Sequence, residues 1–133
     1  MQFPTRLKNN IRRPIIPIRV HANGLSVLTD ALVDTGADVT ILPMFVADRL
    51  GIDLSNAPEM SLVGALGGGG SYRSFELELE LRRLPEAIRW KGQVGFADRE
   101  MSFAFLGTRG FFEFFELTYD AKRDLIDLTF NDE

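Results

Sequence analysis

Apolar and polar positions alternate along most of the chain with a period of two, the signature of β-strands with one face turned to a core. The cleanest stretch is Tyr72 to Leu81, where Phe75, Leu77, Leu79 and Leu81 interleave with Glu76, Glu78 and Glu80. That pattern predicts a half-exposed antiparallel strand with its glutamates on the solvated face. Ile15 to Val20 is β-rich but carries Pro17 and follows Pro14, which suits an edge or a strand start. Asn23-Gly24 then marks a tight hairpin turn. From Leu25 to Val33, Val27, Ala31 and Val33 fall on one alternation, Leu28 and Leu32 on the other, so this strand is expected to be buried on both faces. Val39 to Leu42 reads as a short strand. Pro43 fits the first position of a helix through Met44 to Leu50, and Gly51 is its expected stop.

The second half repeats the pattern. Ile88 to Phe96 is strand-like, with Trp90, Val94 and Phe96 as core candidates, and Ser102 to Leu106 is a short buried run ended by Gly107. Gly110 to Glu116 reads as a helical turn. Leu117 to Asp120 and Asp124 to Phe130 form a last hairpin. Many short strands with turn signals between them imply an all-β barrel or sandwich with one or two short helices. No repeat or linker divides the chain, so we expect one domain over residues 15–130. It is preceded by an arm, residues 1–14, whose Arg6, Lys8, Arg12 and Arg13 are expected to be solvated.

Composition narrows the chemistry. The 133 residues include no cysteine and one histidine, His21, so thiolate nucleophiles, disulfides, His-rich metal sites and a ready Ser/His/Asp set are all disfavoured. His21, beside a turn, reads as a surface residue. A net charge of −4 argues against a dedicated nucleic-acid binder, and the phenylalanines from Phe103 to Phe115 lack the basic stripe of a base-stacking platform. No run is long and apolar enough for a membrane span, and the first residues lack the apolar core of a signal peptide, so the expectation is a cytoplasmic protein with no membrane partner.

What stands out is Leu32-Val33-Asp34-Thr35-Gly36-Ala37-Asp38, a carboxylate and a glycine between two apolar runs. Asp-Thr-Gly alone is an ordinary turn. Between two buried strands, however, Asp34 must meet a donor or another carboxylate. The second feature is the glycine-rich stretch from Val63 to Ser71. A phosphate-binding loop needs a lysine where Gly70 stands, which leaves a plain hairpin or a mobile cover over a cleft.

Taken in order, Leu32 to Asp38, Leu62 to Gly68 and Phe105-Leu106-Gly107 resemble the catalytic loop, the flap and the apolar-apolar-Gly segment of the retropepsin-like aspartic proteases, single-domain enzymes that work as homodimers. Phe111 to Phe115 sits where that family has a short C-terminal helix. The resemblance spans Ile15 to Phe130 and implies a closed β-barrel of that type. It implies an endopeptidase acting on polypeptide without metal or other cofactor, with Asp34 catalytic. Only one Asp-Thr-Gly is present, so the second carboxylate of the dyad has to come from a second copy. By the same resemblance Thr35 bonds across the dimer axis, the Gly36 carbonyl binds substrate backbone, Ala37 belongs to the same loop-support and substrate-backbone set, and Asp38 supports the loop and bonds substrate backbone rather than catalysing. Gly64, Ala65, Leu66 and Gly67 form the flap, with the Leu66 amide offered to a water or to the substrate, and Leu62, Val63 and Leu106 wall an apolar pocket. One departure is visible: the family usually has Arg directly after the apolar-apolar-Gly segment, whereas here Thr108 follows and Arg109 comes next. The competing reading is a non-catalytic module of the same fold that holds an extended peptide by strand addition.

Overall fold

The structure is a computed structural model that describes residues 1–62 and 70–131. In chain order its elements are β1 (Gln2–Pro4), β2 (Arg6–Lys8), β3 (Ile11–Arg13), β4 (Ile15–Ala22), β5 (Leu25–Val33), β6 (Thr40–Leu42), α1 (Met44–Leu50), β7 (Glu59–Ser61), β8 (Ser71–Arg83), β9 (Glu86–Ala97), β10 (Ala104–Leu106), β11 (Phe115–Asp120) and β12 (Leu125–Phe130). Asn23 and Gly24 both take positive φ, 54° and 74°, the conformation a two-residue hairpin turn demands, and so set β4 against β5 with Ala22 opposite Leu25.

The sheet runs β4-β5-β10-β6-β9-β8 and closes on itself through β4 and β8, with β7 added on the outer side of β8. Closure leaves a single interior. It is filled by the inward alternation of each strand: Ile16, Ile18 and Val20 from β4, Val27, Ala31 and Val33 from β5, Leu77, Leu79 and Leu81 from β8, and Trp90, Val94 and Phe96 from β9. Helix α1 caps this core with Val46, Ala47 and Leu50. Pro43 stands one position earlier than expected, as the N-cap, and Gly51 ends the helix at φ 66°. A separate sheet, β1-β12-β11, joins the two termini, and its Phe115, Ile126 and Leu128 meet the barrel beside Trp90. The Trp90 indole N–H donates to the Gly110 carbonyl at 2.8 Å, and its ring meets Phe115 edge-on at 4.7 Å.

Four expectations need correction. Strand β5 is buried on one face only, since a barrel wall has one inside; Leu28, on the outward alternation, is 55% exposed. The first residues are not a free arm, although Lys8 and Arg12 stay exposed. Phe3 is buried, β1 pairs with β12, the chain's amino group donates to the Leu128 carbonyl, and Arg6 and Arg12 are ion-paired to Asp30 and Asp124. Residues 111–116 form no helix, because Gly110 at φ 92° and the bond from its amide to Glu113 Oε1 hold the segment in turns that run into β11; α1 is the one helix among the described residues. Finally, Glu80 is not solvated and His21 is not a free surface residue. The β4–β8 closure sets His21 opposite Glu78, and its Nε2–H donates to Glu80 Oε1 at 2.7 Å. Arg82 donates to the same carboxylate at 3.0 Å, and Arg89 lies 3.6 Å from it.

Burial pushes the Glu80 carboxyl up, but the bonds from Arg82 and His21 and the charges of Arg82 and Arg89 outweigh it and hold the group below its ordinary value. Its ionisation is therefore linked to folding: the stabilisation is present above the unfolded-state value of about 4.5 and is lost as pH falls through the lower folded-state value. Urea denaturation across that acid range should show Glu80→Gln weakened by about 1–3 kcal/mol at neutral pH, with a shallower loss of stability on acidification than wild type. Parallel wild-type and Glu80→Gln profiles would contradict this.

Candidate active site

Asp34 is positioned by β5, whose last residues, Ala31 to Val33, pair in parallel with Ala104 to Leu106 of β10. Parallel pairing continues one residue past the strand, where the Asp34 amide donates to the Leu106 carbonyl at 3.0 Å. The chain then turns. The Gly36 amide donates to Asp34 Oδ1 at 3.0 Å and the Ala37 amide to the Asp34 carbonyl at 3.1 Å, so the loop winds around the carboxylate it presents. Asp34 is half-buried, with Thr35 and Gly36 exposed beyond it at the loop's tip.

The returning side of the loop is fixed from beneath by the segment after β10. The amides of Thr108 and Arg109 donate to the carbonyls of Ala37 and Asp38 at 3.0 and 2.9 Å, and the Arg109 carbonyl accepts from the Thr40 amide at 2.9 Å. Arg109 thus serves the loop through its main chain. The approach is close enough to require glycine at 107, where an added Cβ would lie 2.5 Å from the Val39 carbonyl oxygen and 2.8 Å from that of Ala37. Thr40, fully buried, completes the brace by accepting the Gly107 amide on its hydroxyl at 3.1 Å.

The residues expected from sequence therefore fall into distinct places. Asp34, Thr35, Gly36, Ala37 and Asp38 form one braced loop. Leu62 is half-buried and packs on a small apolar cluster of Ile41, Tyr72 and Ala97, together with Val39 and Met101. Its amide donates to the Gly70 carbonyl at 2.8 Å. Leu106 is fully buried in the barrel core, and what it offers the loop is its carbonyl. Val63, Gly64, Ala65, Leu66 and Gly67 lie outside the described residues. Sequence reasoning missed Thr40 and the Ile41–Tyr72 cluster. A threonine entering a short apolar strand is a weak signal, and nothing local shows that Gly107 will arrive beneath it. Among the described residues no group of three or more acidic or histidine side chains is placed to hold a metal ion, and no helix is long and apolar enough to cross a membrane.

No protein-family model matches the sequence, and no curated protein matches it. Its architecture does match solved structures. A retropepsin-like aspartic protease from Rickettsia conorii superposes with a TM-score of 0.64 at 18% identity, over 98% of this chain and 91% of that one. The fold is retropepsin-like. A second such structure, the retroviral protease-like domain of Ddi1 from Leishmania major, matches with a TM-score of 0.56 at 17% identity, over 91% of this chain and 90% of that one. At these identities the likeness speaks for the retropepsin-like fold, and the chemistry has to be argued from the loop itself.

The brace generates a stability prediction. Gly107→Ala forces a methyl group against two main-chain carbonyls and should destabilise the chain by about 1–3 kcal/mol. Thr40→Val, which leaves the Gly107 amide unpaired in the interior, should cost a similar amount, about 1–3 kcal/mol. Denaturant titration reads both, and a Gly107→Ala chain as stable as wild type would mean that the loop is not clamped there.

Proposed function

We propose that the chain is an aspartic endopeptidase, with Asp34 of one copy facing Asp34 of a second across a homodimer axis. The observation that carries the reading is the braced Asp34 loop: a half-buried carboxylate held at the end of a barrel strand, its exposed tip formed by Thr35 and Gly36. A fold shared with proteases supports the same reading. Two carboxylates at hydrogen-bond distance resist double ionisation and share one proton, as paired aspartates do in general. The ionised member takes a proton from the water between them while the protonated member donates to the carbonyl oxygen of the scissile peptide. Water oxygen adds to the carbonyl carbon to give a tetrahedral diol. Collapse breaks the C–N bond as one carboxyl proton passes to the leaving nitrogen and a diol hydroxyl returns its proton to the ionised carboxylate, so water is consumed and the singly protonated dyad is regenerated.

In this reading Thr35 bonds its counterpart across the axis and the Gly36 carbonyl, with Ala37 and Asp38, orders substrate backbone. Val39, Ile41 and Leu62 supply apolar wall and favour apolar side chains beside the scissile bond. The cytoplasm is the compartment we expect for this cysteine-free chain.

One observation favours the second reading, a non-catalytic peptide-binding module. Strand β1 pairs with β12 of the same chain, so the sheet of the termini is complete without a partner. Two measurements on purified protein separate the readings. Sedimentation should show a dimer, and Asp34→Asn should lower cleavage of unstructured peptides by about 1,000-fold while leaving the thermal midpoint near that of wild type. The pH–rate profile of wild type should be bell-shaped, because activity requires one proton on the pair. A strict monomer at high concentration, or cleavage indifferent to Asp34→Asn, would sink the protease reading.

A further inference from the structure

The β2–β3 hairpin belongs to neither sheet described above, and it sits against one patch of the barrel exterior. Arg6 donates to Asp30 Oδ1 at 2.6 Å, and the Lys8 ammonium lies 4.2 Å from the centre of the Phe103 ring. Between hairpin and barrel lies a groove of about 380 Å³ lined by Arg6, Leu7, Lys8, Ile15, Asp30 and Phe103, with Ser102 at its edge. The groove lies on the outward side of β5, the strand that ends at Asp34. Asp30 and Leu32 lie on the outward alternation of β5, four and two residues before Asp34. Phe105 is paired with Leu32, and its ring touches Phe103 at 5.3 Å. A half-buried apolar track of Leu32, Phe105 and Phe103 therefore leads from the Asp34 end of β5 to the hairpin.

Charge distinguishes the hairpin from the rest of the molecule. The first acidic residue in the sequence is Asp30, and before it stand Arg6, Lys8, Arg12, Arg13 and Arg19, in a chain whose net charge is −4. Arg6 and Arg12 are engaged by Asp30 and Asp124, whereas Lys8 meets no carboxylate among the described residues. Leu7, 62% exposed at the groove, has little apolar cover of its own.

We propose that this hairpin is a specificity element of the cleft. The groove takes extended peptide with an acidic side chain at Lys8 and an apolar one against Leu7, Ile15 and Phe103. At about 3.3 Å per residue, the four residues from Asp30 to Asp34 span about 13 Å, which puts the acidic residue about three to five positions from the bond addressed at Asp34. The proposal rests on the peptide-cleft reading but not on catalysis, because binding alone reveals it.

The test uses the full chain carrying Asp34→Asn and pairs of fluorescently labelled extended peptides with an apolar centre, identical except for Glu or Gln at one position in turn. At one position about three to five residues from the centre, the Glu peptide should bind about five-fold more tightly, a typical size for an exposed charge pair. That ratio should fall with added salt. Adding Lys8→Glu should abolish or invert it and Lys8→Gln should abolish it, whereas Lys91→Glu on β9, which does not line the groove, should leave it unchanged. A ratio of one at every position, a ratio indifferent to Lys8, or no binding of any peptide overturns the proposal. So does a Lys8 dependence confined to self-association or to phosphatidylserine vesicles, which would give the hairpin a different partner. The protease reading fails separately, on cleavage indifferent to Asp34→Asn.

Discussion

The parallel pairing of β10 with the end of β5 is the constraint on which the Asp34 loop depends. It brings Leu106 alongside Val33, which places one carbonyl to receive the Asp34 amide and sends the next three residues under the loop. Parallel strands need a long crossover, and here the whole span from β6 to β9 supplies it. Two segments about seventy residues apart in sequence, Asp34 to Thr40 and Leu106 to Arg109, are thereby locked by main-chain hydrogen bonds, each of which contributes about 1 kcal/mol net. Gly107 permits the approach, and the Thr40 hydroxyl keeps its amide from being buried unpaired. The carboxylate is presented on a frame formed at the barrel's core rather than on a free loop, which is how a single acidic group can be held for chemistry.

Much of the barrel was legible in the chain because its strands carry a strong period of two and sharp punctuation. Asn23-Gly24 could only be a tight turn, and Pro43 with Gly51 bracketed α1 to within a residue. The Asp34 loop was legible from its flanks, two apolar runs around a short polar turn. What escaped the sequence depends on closure. Glu76, Glu78 and Glu80 look alike in the alternating pattern, yet only Glu80 is buried, because the β4–β8 pairing brings His21, Arg82 and Arg89 around it. Leu28 looked like core because periodicity counts apolar residues without knowing that a barrel has one inside. Gly110 to Glu116 read as a helical turn, and the family resemblance put a short helix there; Gly110, the Glu113 bond and the aromatic packing around Trp90 decided otherwise.

The two ends of the chain bear on how a second copy could dock. Because β1 lies against β12 of its own chain, the termini are held within one chain, and a dimer built around the Asp34 loops needs contacts of its own near Thr35 and Gly36. The β2–β3 hairpin, tied back by Arg6 and Lys8, flanks the same side of the barrel and gives that surface a basic edge unlike the acidic remainder of the chain. The occupant proposed for this face is an extended peptide.

The central claim is that Asp34 is half of an active site. A crystal structure of the chain bound to a non-cleavable peptide analogue tests it most directly. The account predicts a two-fold dimer with the two Asp34 carboxylates within about 3 Å of each other, at hydrogen-bond distance across the axis, and the analogue lying over them. A bound complex in which each Asp34 stands alone, far from any second carboxylate, would contradict it.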